Sequence, residues 1–208
     1  MSRYDEMMFT PAVEARQAGI GAKGKFASRY GQPERLNVGA DEMDFLLSRT
    51  TLYIATVSET GWPYIQHRGG PLGFIKQLGD TQVGFADYRG NRQLISAGNL
   101  DKDDRVSIFA MDYARKNRLK LQGHAQMLSV EDNPELAAQL TLMDHPAPER
   151  LMVIDIASYD WNCPKYITPR FDTGEMTQLI GPEISRLETR IAELEAENAA
   201  LRNEGPQK

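Results

Sequence analysis

Three short stretches of the 208-residue chain gather the residue types that hold an anion beside a flat ring. Asp87-Tyr88-Arg89-Gly90-Asn91-Arg92-Gln93 follows an apolar run and precedes a short helical pattern. An arginine near a helix start offers a guanidinium fork and backbone N–H groups, the donors a phosphate dianion needs. Gln66-His67-Arg68-Gly69-Gly70 closes another extended run, with donors ahead of two glycines that let a backbone approach a ring closely. Arg118 opens a third run and adds a cation. Each stretch alone reads equally well as a solvated turn; their joint order carries the signal.

Other chemistries find little support. The histidines His67, His124 and His145 lack metal-ligand spacing, and the one cysteine, Cys163, excludes an internal disulfide framework and a CxxC site. Neither a Ser/His/Asp grouping nor a Walker loop occurs. A net charge of -5 argues against a nucleic-acid partner, although Arg89, Arg92, Lys102, Arg105, Arg115, Lys116, Arg118 and Lys120 make the middle of the chain basic. That distribution suits a small anionic ligand better than a polyanion. No apolar run approaches the ~18–20 residues of a membrane span, and the N-terminus has no signal-like core. A reducing, cytoplasmic setting is expected.

The elements that must position these residues are short strands. Thr50 to Val57, Trp62 to Arg68, Leu72 to Gln77, Gln82 to Ala86, Arg105 to Met111, Arg118 to Leu128 and Leu151 to Ile156 read as extended. Small helices are expected over Glu42 to Ser48, Arg92 to Gly98, and from Asn133-Pro134 to about Leu142. Crossover helices long enough for a parallel sheet are missing between most strands, so the fold class is mainly β, an antiparallel barrel with small helices. Residues 1–40 read as an N-terminal arm with a short helix over Met7 to Ala18, and 41–175 as the main domain. The formal GxGxxG at Gly19 to Gly24 follows a polar, helix-like stretch where a dinucleotide loop needs a strand, and reads as a linker.

The tail, residues 183–203, follows a different rule. Ile184, Leu187, Ile191, Leu194, Asn198 and Leu201 alternate three and four apart, a heptad seam with Ile at a and Leu at d. Asn198 at an a position fixes register and favours two strands. In a parallel pair Arg190 meets Glu195 of the second copy and Glu197 meets Arg202, while Glu183 opposes Glu188. A C-terminal coiled coil is expected; an amphipathic helix packed on its own domain is the alternative.

Residues 41 to 172 resemble the pyridoxamine 5'-phosphate oxidase-like, FMN-binding split-barrel family. Gly61-Trp62-Pro63-Tyr64 is similar to that family's GxPxxR turn and strand, with Arg68 two residues late. Phe85 to Gln93 resembles its strand and Ser-Arg-Lys clamp; Arg92 matches the arginine, Asn91 stands for serine and Gln93 for lysine. Arg118 falls where the family often has a glutamine reaching the flavin. Tyr159 to Tyr166 resembles a tryptophan segment that covers the cofactor from the partner subunit.

The resemblance implies a split β-barrel homodimer with FMN at its interface. It assigns Arg92 and Asn91 to the phosphate, with Asp87 and Gln93 in the same clamp segment. Gln66, His67, Arg68 and Gly69 are expected along the ring or ribityl chain. Arg118 stabilises negative charge on the reduced ring, Trp161 walls the site, and Lys165 is a further candidate. The oxidase lysine is replaced by Gly69-Gly70-Pro71 and the Arg-x-His substrate motif is absent, which points away from vitamin B6 phosphate. The leading expectation is an FMN-dependent oxidoreductase acting on a small organic substrate, with NADH or NADPH as a possible donor. A non-catalytic flavin-binding or redox-sensing protein that signals through its coil is the alternative. A deazaflavin in place of FMN, and haem held by His67 or His124, stay open on these residues.

Overall fold

The computed structural model describes residues 3–22, 38–161 and 164–203. The chain divides into two compact units, residues up to 112 with 116–165, and residues 113–115 with those from 166 onward.

The first unit is one seven-stranded antiparallel sheet. Its strands are β1 (Thr51–Val57), β2 (Pro63–Gly69), β3 (Lys76–Gln77), β4 (Gln82–Asp87), β5 (Arg105–Asp112), β6 (Asn117–Ser129) and β7 (Arg150–Trp161). They lie in the order β2-β1-β5-β6-β7-β4-β3. Alternation along β1 and β5 puts Leu52, Ile54, Val106, Ile108 and Ala110 in the core while their neighbours face outward, the period-2 rule of a half-buried sheet. Arg68 of β2 reaches Asp87 of β4 near the other end of this order, and the sheet is a split β-barrel with a few small helices.

Those helices are α1 (Arg3–Met8), α2 (Pro11–Gly19), α3 (Ala40–Leu47), α4 (Ile95–Leu100) and α5 (Pro134–Leu140). Glu42 caps α3 by accepting a 3.0 Å bond from the Gly39 N–H, and Arg49 after it pairs with Asp112 at 3.1 Å. One irregularity is built into the β6–β7 ladder at Gln122/Gly123. A Cβ on Gly123 would lie 2.4 Å from the Asp155 carbonyl oxygen, so only glycine fits this bulge.

Several expected elements are corrected. The stretch expected as one helix over Met7 to Ala18 is two helices parted at Phe9-Thr10, and α1 packs on β7. The strand expected over Leu72 to Gln77 shrinks to two residues, because Gly73 turns at φ +84°. The helix expected at Arg92 begins at Ile95, since Arg92 and Leu94 both adopt left-handed backbone (φ 59° and 56°). The last strand runs through Trp161, five residues past its expected end at Ile156. Within the candidate linker motif, Gly19 ends α2, while Lys23 and Gly24 lie outside the described residues.

The second unit is dominated by α6 (Thr173–Asn203), 31 residues with Pro182 inside it. It begins ten residues before the expected seam segment. Within this unit the Arg170 guanidinium lies 5.1 Å from the Tyr113 ring centre. Among the described residues no helix is long and apolar enough to cross a membrane.

Candidate functional site

Arginines converge where β2, β4, β7 and the loop before α4 meet. Tyr64, Gln66 and Arg68 occupy alternate positions of β2 and share the face that Thr56, Ile54 and Leu52 present across the ladder. Arg68 Nη1 lies 2.5 Å from Asp87 Oδ1, and Arg150 Nε donates to Asp87 Oδ2 at 2.9 Å. Asp87 is 6% exposed, so one buried carboxylate holds two guanidinium groups in place. Its main chain is held as well, by the Glu149 N–H at 3.0 Å.

The loop 88–94 supplies the opposite wall. Asn91 Oδ1 accepts the Gln93 N–H at 3.1 Å, the local bond that lets asparagine shape a turn. Ser96 donates to Gln66 Oε1 at 2.6 Å, tying α4 to β2, and Asn99 donates to Thr56 at 2.8 Å. Arg92 is turned back on the protein, its guanidinium bonded to Glu149. That hydrogen bond, above all, keeps the Glu149 carboxyl below its usual range.

These groups enclose a polar cavity of about 60 Å³ lined by Gln66, Arg68, Asn91, Arg92, Ser96 and Arg150 among others. Arg68, Asp87 and Tyr88 also border a second cavity of about 230 Å³, with His67, Gly69, Phe74 and His145 on its wall. Tyr88 accepts the Leu142 N–H at 2.8 Å, and its ring lies 5.3 Å from that of His145.

Most of the expected residues therefore meet. Gln66, Arg68, Asp87, Asn91, Arg92 and Gln93 line the smaller cavity; His67 and Gly69 border only the larger one. Strand alternation turns His67 to the face opposite Gln66 and Arg68, against Tyr53, while His67, Arg68 and Gly69 still share the border of the larger cavity. The second glycine serves the protein's own packing: a Cβ on Gly70 would sit 2.6 Å from the Phe74 Cβ.

Arg118, Trp161 and Lys165 line neither cavity. Arg118 stacks 4.8 Å from the Phe109 ring centre, and its buried Nε has no hydrogen-bond partner among the described residues. Trp161 donates to Glu42 at 2.7 Å and packs edge-on against Phe45. Lys165 follows β7 in an exposed turn. The residues that local sequence reasoning missed are Arg150 and Glu149, which reach the site only through the register of β7 on β4.

A seven-stranded antiparallel split barrel with a cationic pocket between its borders defines a known class of β-proteins. Residues 40–160 match the family model described as pyridoxamine 5'-phosphate oxidase, and the chain belongs to that family. Among solved structures the chain is similar to HupZ of Group A Streptococcus at 14% identity, covering 64% of this chain and 99% of that one, TM-score 0.46. It is also similar to a pyridoxamine 5'-phosphate oxidase-related, FMN binding protein of Nostoc punctiforme at 17% identity, covering 59% and 82%, TM-score 0.45. General Stress Protein 26 of Bacillus anthracis aligns at 10% identity, covering 57% and 88%, TM-score 0.43. No curated protein matches the chain.

Proposed function

We propose that the chain is an FMN-binding oxidoreductase that works as a homodimer with the cofactor between subunits. The observation that carries this reading is the set of three guanidinium groups, Arg68, Arg92 and Arg150, around one small polar cavity in a member of this family. Their chemistry fits the flavin's terminal phosphate: fixed cationic donors, with the Asn91 and Ser96 side chains beside them.

Exposed apolar surface supports the interface location. Trp62, Ile65 and Phe109 are exposed apolar groups on the β2–β1–β5 side of the barrel, the composition of a surface that another subunit covers. Arg118, Trp161 and Lys165 act in this reading from the second subunit, which accounts for their distance from the pocket of their own chain. The unsatisfied Arg118 Nε would donate to negative charge on the ring.

Bound there, FMN supplies the electron transfer, and the protein supplies position and electrostatics. Asp87 keeps Arg68 and Arg150 aimed, while loop 88–94 brings up Arg92 and the Asn91 amide. The substrate is a small organic molecule, and the larger cavity beside His67, Tyr88 and His145 is the place for it.

The test is the absorption spectrum of the purified chain, with release and identification of the chromophore, followed by anaerobic NADH or NADPH. A flavin spectrum bleached by a nicotinamide supports the reading. A colourless protein that takes up no added FMN rejects the cofactor; a flavin left oxidised by both donors, and by substrate candidates, rejects the catalysis.

A further inference from the structure

The 31-residue helix α6 displays an apolar stripe that the rest of its unit leaves in solvent. Ile184, Leu187, Ile191, Leu194 and Leu201 are all exposed, Ile191 at 55% and Leu201 at 62%. Because the helix starts at Thr173, Ile180 extends the same stripe by a further d position, across Pro182. A stripe only two positions wide per heptad is narrower than the face a helix buries on a globular core; it is the seam of a coiled coil.

We propose that α6 pairs in parallel and in register with α6 of a second copy of this chain. Charge decides the partner and the direction. Four of the six symmetric g–e' contacts, Arg190 to Glu195 and Glu197 to Arg202 taken twice, are attractive, and only the two Glu183–Glu188 contacts oppose them. Asn198 decides the register. Its amide donates to its own Leu194 carbonyl at 2.9 Å, leaving the carbonyl oxygen of the side chain for a partner. In the parallel pair the two Asn198 side chains face each other. In an antiparallel pair of the same overlap each faces Leu187, which buries an amide against an aliphatic group, and the repulsion of Glu188 by Glu195 cancels the attraction of Arg190 to Glu197. The single helix meanwhile spends Arg186 on Glu183 at 2.9 Å and Arg190 on Glu193 at 2.9 Å, within-turn bonds on exposed flanks that leave the apolar seam open.

This pairing uses α6 alone and is independent of the flavin reading. The test uses the full chain carrying Cys163→Ser, with one new cysteine, under mild oxidation. Leu201→Cys places symmetric thiols in the seam and is expected to convert most of the protein to a disulfide-linked dimer on a non-reducing gel. Glu193→Cys, on the outer face, is expected to link at least tenfold less. A mixture of Ile184→Cys and Leu201→Cys chains is expected to give no mixed link by peptide mapping. Equal linkage of the seam and outer positions, no linkage at Leu201→Cys, or a mixed link between positions 184 and 201 each overturns the proposal. Flavin absorbance of the same samples reports folding and cofactor binding separately.

Discussion

Arg68 Nη1 and Asp87 Oδ1 lie 2.5 Å apart, joining β2 at one border of the sheet order to β4 beside the other. The same carboxylate holds Arg150 from β7 through its other oxygen. A single buried Asp therefore fastens the split in the barrel and sets two of the three cations around the polar cavity. Asp87→Asn keeps the shape and removes the charge, leaving two guanidinium groups without their common anchor. The expected cost is about 2–3 kcal/mol of stability, below the ~3–5 of a fully enclosed pair because both guanidinium groups keep partial access to water. Denaturant unfolding of the cofactor-free protein measures it, and a loss under 1 kcal/mol would mean that the Asp is a bystander.

The arginines should differ in what they do for FMN. Arg92→Ala removes one charge-assisted donor from an exposed position on a loop and should weaken retention by roughly 1.5–3 kcal/mol with the fold intact. Arg150→Ala removes a donor and half of the Asp87 clamp, so retention and thermal stability should fall together. Arg150→Lys restores a point charge without the planar fork and should recover stability more than affinity. Fluorescence titration of the apoprotein with FMN, alongside melting curves, separates the two. Arg92→Ala binding as tightly as wild type would put the phosphate elsewhere.

Much of this was legible along the chain, and the failures have physical causes. The strands β1, β5 and β6 announce themselves because one face is buried and the other is not, as in Leu52, Ile54 and Thr56 against Tyr53 and Ala55. The end of β7 is hidden because its inward positions include Ser158 and Asp160, buried polar residues that break the apolar pattern by which a strand is read. The late start of α4 was hidden because nothing in Arg92 or Leu94 advertises left-handed backbone, a conformation that favours glycine. Arg150 lay out of reach for another reason. It meets Asp87 across 63 residues of sequence, through strand register, and no local spacing encodes that. Strand alternation, by contrast, was available in the letters, and it separates His67 from Gln66 and Arg68.

Glu149 competes for Arg92. An anion arriving in the cavity must draw that guanidinium away from a carboxylate already bonded to it, and must tolerate the carboxylate's charge nearby. Glu149→Gln should therefore bind FMN roughly two- to fivefold more tightly than wild type, the scale of an exposed ion pair. The hydrogen bond from Arg92 is the main reason the carboxyl titrates below its usual range. Its contribution to the resting fold is thus present at neutral pH and is lost only as pH falls through that lowered value. Titration of both proteins at neutral pH measures the competition; weaker binding by the Gln variant would show that Glu149 supports the site.

A different ion pair fastens α1 to the barrel. Lys120 on β6 bonds to Asp160 on β7, and to Tyr4 of α1 at 3.1 Å, with its ammonium 4.8 Å from the Tyr4 ring centre. Burial works against the Lys120 charge, yet the bonds to Asp160 and Tyr4 outweigh it and raise the pKa above the ordinary lysine value. A raised value means that the contribution is complete below the ordinary amine range and fades only as pH climbs through the raised one. Lys120→Met should cost about 2–3 kcal/mol, less than the ~3–5 of a fully enclosed pair because Lys120 keeps partial access to water. The wild-type advantage in melting temperature should stay level from about pH 6 to about pH 9 and shrink above the ordinary lysine range near 10.4. A gap that closed between pH 6 and 9 would mean that a group other than Lys120 governs the docking of α1.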